Sequence, residues 1–178
     1  MNIHPLFVHF PIALLALYSV LEIAVYCSPA LRRQDWVFGT KMFLLFTGSL
    51  TALVTLASGG IAEDLIRDTN PRTFIFEMHE PFAVATTLLY LVLASAYLMR
   101  IFDTRGWGDR IAGTNRLMVW SWNFKKRFWY AFLNSPFLPL IAFLALVGMT
   151  ITGALGAAIV YGPDIDPLVS LVYHLFWI

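Results

Sequence analysis

Four stretches of the chain are apolar on every face, and the charged residues are gathered between them. They run from about Leu6 to Cys27, Thr40 to Gly60, Pro81 to Leu98 and Phe137 to Tyr161. Each approaches the roughly 20 residues that a helix needs to cross the hydrocarbon core of a bilayer. The breaks are "SPALRRQD", "AEDLIRDTNPR" and the long segment from Arg100 to Ser135. Backbone groups in lipid must pair within their own segment, so the stretches predict helices and not strands. The pattern therefore predicts an all-α integral membrane four-helix bundle, a single four-span domain over residues 1–178. Two shorter elements accompany it. "NRLMVWSWNFKKRFWYAFL" interleaves basic and aromatic residues, as a helix lying in the membrane surface does. Asp166 and Pro167 form an N-cap and first-turn proline for a short C-terminal helix.

Composition agrees with this pattern. Hydrophobic residues make up 59% of the chain and charged ones 13%, with a mean hydropathy of +0.71; soluble domains carry about a quarter charged residues. The lone cysteine, Cys27, excludes an internal disulfide and a cysteine-ligated cluster. The start has no basic region and no small-residue cleavage pattern, so the first span is expected to be retained. Nucleic-acid binding, the other use of a basic and aromatic segment, does not suit so apolar a chain.

Charge sets the expected orientation. Arg32, Arg33 and Lys41 follow the first span; Arg100, Arg105, Arg110, Arg116, Lys125, Lys126 and Arg127 follow the third. The opposite side has only Arg67 and Arg72 among its carboxylates. The positive-inside rule makes the basic side cytoplasmic and places both termini in the periplasm of a bacterial inner membrane. Five tryptophans (Trp36, Trp107, Trp120, Trp122, Trp129) share that basic side, as an interfacial belt would.

All four histidines, His4, His9, His79 and His174, then fall on the opposite, periplasmic side. Imidazoles from two helices of a bundle suit axial ligation of a haem iron, and with carboxylates they suit zinc, copper or iron. His4 and His9 are five residues apart, about 140° around a helix, and do not share a face. His9, deeper in the span, and His79, at comparable depth on another helix, are the expected ligand pair for haem or for a metal ion. His4 and His174 come next. Arg67 and Arg72 are the expected partners of haem propionates. The plain alternative is that these histidines sit at the interface, where their apolar body and polar tip are both satisfied.

Other positions fill in this picture. Pro11 removes a hydrogen bond just beyond His9, and a kink there would make room beside it. "GMTITGALGAA" in the fourth span carries small residues that admit a second helix or a flat ring. Glu22 lies near the basic end of the first span, with Tyr26 and nearby cations as expected partners. Glu77, Glu80 and Asp64 flank the histidines as possible acceptors for imidazole N–H groups.

"HPLFVHFPIALL" closely resembles the opening H-P-x-x-V-H-F-P-I signature of a widespread bacterial family of four-helix membrane proteins, catalogued as a transmembrane domain of unknown function. The resemblance extends over His4, His9 and Pro11, Gly60 with Asp64, His79, and Gly153, Gly156, Val160 and Tyr161. It covers nearly the whole chain except the long third loop. Members of the family can carry a further histidine after the Val-Tyr pair, where this chain has Gly162-Pro163. Some relatives are joined to c-type cytochrome modules, which implies redox work. The resulting expectation is a membrane-embedded haem b electron-transfer subunit and not a stand-alone enzyme. It would pass electrons between quinol or a redox partner subunit and a periplasmic acceptor. The alternatives are a non-redox anchor subunit and a periplasm-facing histidine metal site.

Overall fold

The computed structural model describes residues 4–66 and 73–176. Eight helices follow one another: α1 (His4–Cys27), α2 (Pro29–Arg32), α3 (Asp35–Ile66), α4 (Thr73–Thr104), α5 (Trp107–Ala112), α6 (Arg116–Leu133), α7 (Phe137–Tyr161) and α8 (Pro167–Phe176). The helices α1, α3, α4 and α7 are long and apolar enough to cross a membrane. They pack α1 on α3, α3 on α4, α4 on α7 and α7 on α1, so that sequential helices are antiparallel neighbours and α1 faces α4 across the diagonal. Short connections make α1, α3 and α4 adjacent antiparallel neighbours, and the longer segment that carries α5 and α6 returns the chain to α7 beside α4.

The helices extend beyond the expected spans. At 32 residues each, α3 and α4 are about 48 Å long, against a hydrocarbon core of about 30 Å. The polar run "AEDLI" prolongs α3, and α4 begins at Thr73, so Pro81 lies within it. Charged residues end an apolar span without ending a helix, because their side chains reach water while the backbone ladder continues.

The outer face is apolar, unlike that of a soluble bundle, and the mainly apolar core holds a few polar side chains. Leu17, Val20, Phe43, Leu50, Leu88, Phe143 and Leu144 point outward, as lipid contact requires, while Ser19, Glu22, Lys41, Ser49, Thr86 and Thr87 are buried. On α1 the buried positions Pro11, Leu15, Tyr18, Glu22 and Val25 form one stripe with alternating spacings of four and three. Pro11 is accommodated at this stripe. Its missing N–H leaves the Phe7 carbonyl without an intrahelical partner, and the Thr55 hydroxyl of α3 is shared between that carbonyl at 3.3 Å and the Thr51 carbonyl at 2.9 Å.

Two glycines set the helix approach. A Cβ at Gly48 would stand 2.6 Å from Leu15 Cδ2, and one at Gly148 would stand 2.5 Å from Thr86 Oγ1. At the end of α7, Gly162 adopts φ 103°, open to glycine at little cost, and the chain turns back into α8. Asp166 caps α8 by accepting from the Leu168 and Val169 amides at 2.8 and 2.9 Å. Val169 and Val172 close a cluster with Ile75, Phe76, Leu155 and Ile159, and Phe176 meets Phe82 edge-on. The C-terminal helix thus folds back along α4 and α7.

At the other end, α6 is capped by Asn115, which accepts from Leu117 and Met118. Tyr130 and Lys126 both bond Asp103 of α4. Leu117, Trp120, Phe124 and Phe128 form its exposed apolar stripe, as a helix lying in the membrane surface requires.

Replacing Gly48 by Ala should destabilise the bundle by about 1–3 kcal/mol, because the Leu15 branch point cannot yield without moving α1 against α3. Gly60→Ala, where an added Cβ meets nothing within 4 Å, should be neutral or slightly stabilising. Thermal unfolding in one detergent compares the two.

Candidate functional site

Two polar layers lie inside the bundle, one near each end. His4 and Glu22, Gly59 and Lys41, His79 and Tyr97, and Gly156 and Leu138 are each 18 residues apart, which is about five complete turns. Each pair therefore shares one face of its helix, some 27 Å apart along the axis. That separation is close to the thickness of the hydrocarbon core, about 30 Å. Whatever faces the bundle interior at one boundary is matched by a residue facing it at the other.

The first layer holds His4 and His79. They come from the diagonal helices α1 and α4, and His79 lies within electrostatic reach of His4. His4 Nδ1 lies 3.0 Å from Ser58 Oγ. The Ser58 hydroxyl donates to the Thr55 carbonyl at 3.0 Å. His4 also bonds the Thr55 backbone, so the ring is held by Ser58 and Thr55 of α3 together. Glycines seat both rings: a Cβ at Gly59 would stand 3.2 Å from His4 Cε1, and one at Gly156 would stand 3.3 Å from His79 Nε2.

The other expected residues lie elsewhere. His9 is exposed on the outer face of α1 and does not face His79. It lies off the interior stripe, whereas His4 is one heptad before Pro11 and on it. His174 is exposed on α8, its Nδ1 bonded to the Ser170 carbonyl at 2.9 Å. Glu77, Glu80 and Asp64 are exposed, and the acceptor that meets His4 is Ser58. Arg67 and Arg72, the expected propionate partners, lie outside the described residues. Among the described residues, no group of three or more His, Cys, Asp or Glu side chains that could hold a metal ion comes together.

The second layer is built on Glu22, only 3% exposed. Lys41 Nζ donates to Oε1 at 2.9 Å and Tyr97 Oη donates to Oε2 at 2.6 Å. Tyr26, one expected partner, is instead exposed. The ammonium of Lys41 also sits 5.4 Å from the Tyr97 ring centre. Tyr18 packs edge-on against Tyr90 and Tyr97, with ring centres 6.4 and 6.3 Å away. Its buried hydroxyl has no hydrogen-bond partner among the described residues. One turn further in, Ser19 and Tyr90 are bonded at 2.9 Å. Tyr90 and Tyr97 were missed in the sequence, although the stripe His79, Thr86, Tyr90, Leu93, Tyr97 repeats the spacing of the α1 stripe and marks them as interior.

The fold and these layers define a multi-pass membrane protein: four antiparallel helices with an apolar outer face and paired polar residues inside. The chain belongs to the family described as "Predicted membrane protein (DUF2231)", which matches residues 1–166. No curated protein and no solved structure shows a match to it.

Removing either partner of the buried pair should be costly. Lys41→Met leaves the Glu22 charge with Tyr97 alone and should destabilise by about 3–5 kcal/mol, whereas adding Glu22→Gln should restore much of the loss. A double-mutant cycle of unfolding free energies measures this. At the other end, burial holds His4 below its ordinary value of 6.5. The unfolded chain then takes up this proton at higher pH than the folded chain. The stability this group permits is complete above 6.5 and declines as pH falls below it. His4→Gln should flatten that decline in plots of Tm against pH.

Proposed function

We propose that this chain is the membrane subunit of a redox assembly in a bacterial inner membrane, with its histidine end toward the periplasm. The convergence of His4 and His79 from diagonal helices is the observation that carries the reading. Positive residues on the opposite end support the orientation. Haem would need only two donors from the protein, so a two-imidazole layer would suit haem b better than a bare ion. His4 and His79 are the pair we assign to it, in place of His9 and His79. When bound, haem would supply a one-electron couple, with quinol or a neighbouring subunit on one side and a periplasmic acceptor on the other. The chain's own part is to hold and orient the imidazoles, with Ser58 and the Thr55 backbone fixing His4.

Clearance is the constraint on this reading. Gly156 gives His79 Nε2 its space, and a macrocycle there requires α7 to shift outward. The same contact favours a second reading, an anchor subunit in which the imidazoles only pack the helices.

A reduced-minus-oxidised absorption spectrum of the detergent-purified chain separates the two. The redox reading expects a b-type α-band that is lost in both His4→Ala and His79→Ala and kept in His9→Ala. A flat spectrum from folded protein would remove it in favour of the anchor.

A further inference from the structure

The buried carboxylate layer opens onto a cavity of about 260 Å³ at the basic end of the bundle. It lies between the first turns of α3 and α7 and the last turns of α1 and α4. Arg32, Lys41 and Arg100 line it, with Glu22 as the one carboxylate on its wall. Lys41 is taken by Glu22. The two arginines are held by uncharged groups: Arg100 lies 4.4 Å over the Phe38 ring, and Arg32 donates to the Tyr26 carbonyl at 2.8 Å. Three cations against one carboxylate leave the wall with two positive charges in excess. Gln34, Asn134 and Ser135 add neutral hydrogen-bonding groups at the rim.

We infer that this cavity is a binding site for a phosphate group, bound by Arg32 and Arg100. Guanidinium forks match phosphate oxygens two at a time, and the polar wall suits a headgroup or small anion better than an isoprenoid tail. The site stands at the membrane boundary, so the phosphate can belong to an anionic phospholipid or come free from solution. Glu22 keeps Lys41 at the floor, and the arginines above it select the charge. The inference is independent of the histidine layer, about 27 Å away.

Two probes test it on the purified, delipidated chain. Inorganic phosphate is titrated by calorimetry, and phosphatidylglycerol is compared with phosphatidylcholine by native mass spectrometry. The expected result is binding of inorganic phosphate or preferential retention of phosphatidylglycerol, weakened about tenfold by Arg100→Gln and less by Arg100→Lys, which keeps the charge and loses the fork. Binding of free phosphate identifies a soluble ligand, and retention of phosphatidylglycerol alone identifies a headgroup. Arg32→Gln, an exposed position outside the spans, carries the same test should Arg100→Gln lose its thermal transition. Binding of neither probe, or equal binding by wild type and both Gln variants, overturns the proposal.

Discussion

A carboxylate inside a lipid-embedded helix must be neutralised by its neighbours, and Glu22 organises the basic half of this bundle for that reason. Its two oxygens are bonded by groups from two other helices, Lys41 on α3 and Tyr97 on α4. Lipid offers no alternative partner, so the register of α1 against both helices is set by this one group. A slide by one turn would bury a charge without compensation. Apolar packing in lipid does not discriminate registers so sharply, because tails and leucine side chains are alike in character.

Close approach of the helices is the second requirement. With no hydrophobic driving force between spans, association rests on packing and interhelical hydrogen bonds. Leu15 lies over Gly48 and Thr86 over Gly148, and Thr55 takes the carbonyl that Pro11 leaves over. The helix-breaking residue and the polar residue that repairs it come from different spans.

The two ends of the bundle differ in chemistry. One boundary carries neutral rings seated on glycines; the other carries an ion pair beneath a cationic cavity. Five helical turns separate them on the same interior face, so a single stripe on each helix supplies both. The surface helix α6, tied to α4 through Asp103, lies at the cationic boundary, where its exposed aromatic stripe meets lipid.

Span number, helical class and the uneven charge were legible in the residues themselves. They depend on length, hydropathy and the obligation of the backbone to pair internally, all of which are local. The cap at Asp166 was legible for the same reason. Much of the histidine layer was also written there, in the 18-residue spacing of His4 to Glu22 and of His79 to Tyr97, which places each pair on one face. Depth alone pointed to His9, but facing depends on which stripe the other helices bury. Only the tertiary structure decided that Lys41, of the nearby cations, meets Glu22, and that Tyr97 takes the place expected of Tyr26. It alone paired Thr55 with Phe7, seated the imidazoles on Gly59 and Gly156, and enclosed a cavity between Arg32 and Arg100. Those contacts join segments distant along the chain, and side chains that meet across a bundle leave no periodicity within any one helix.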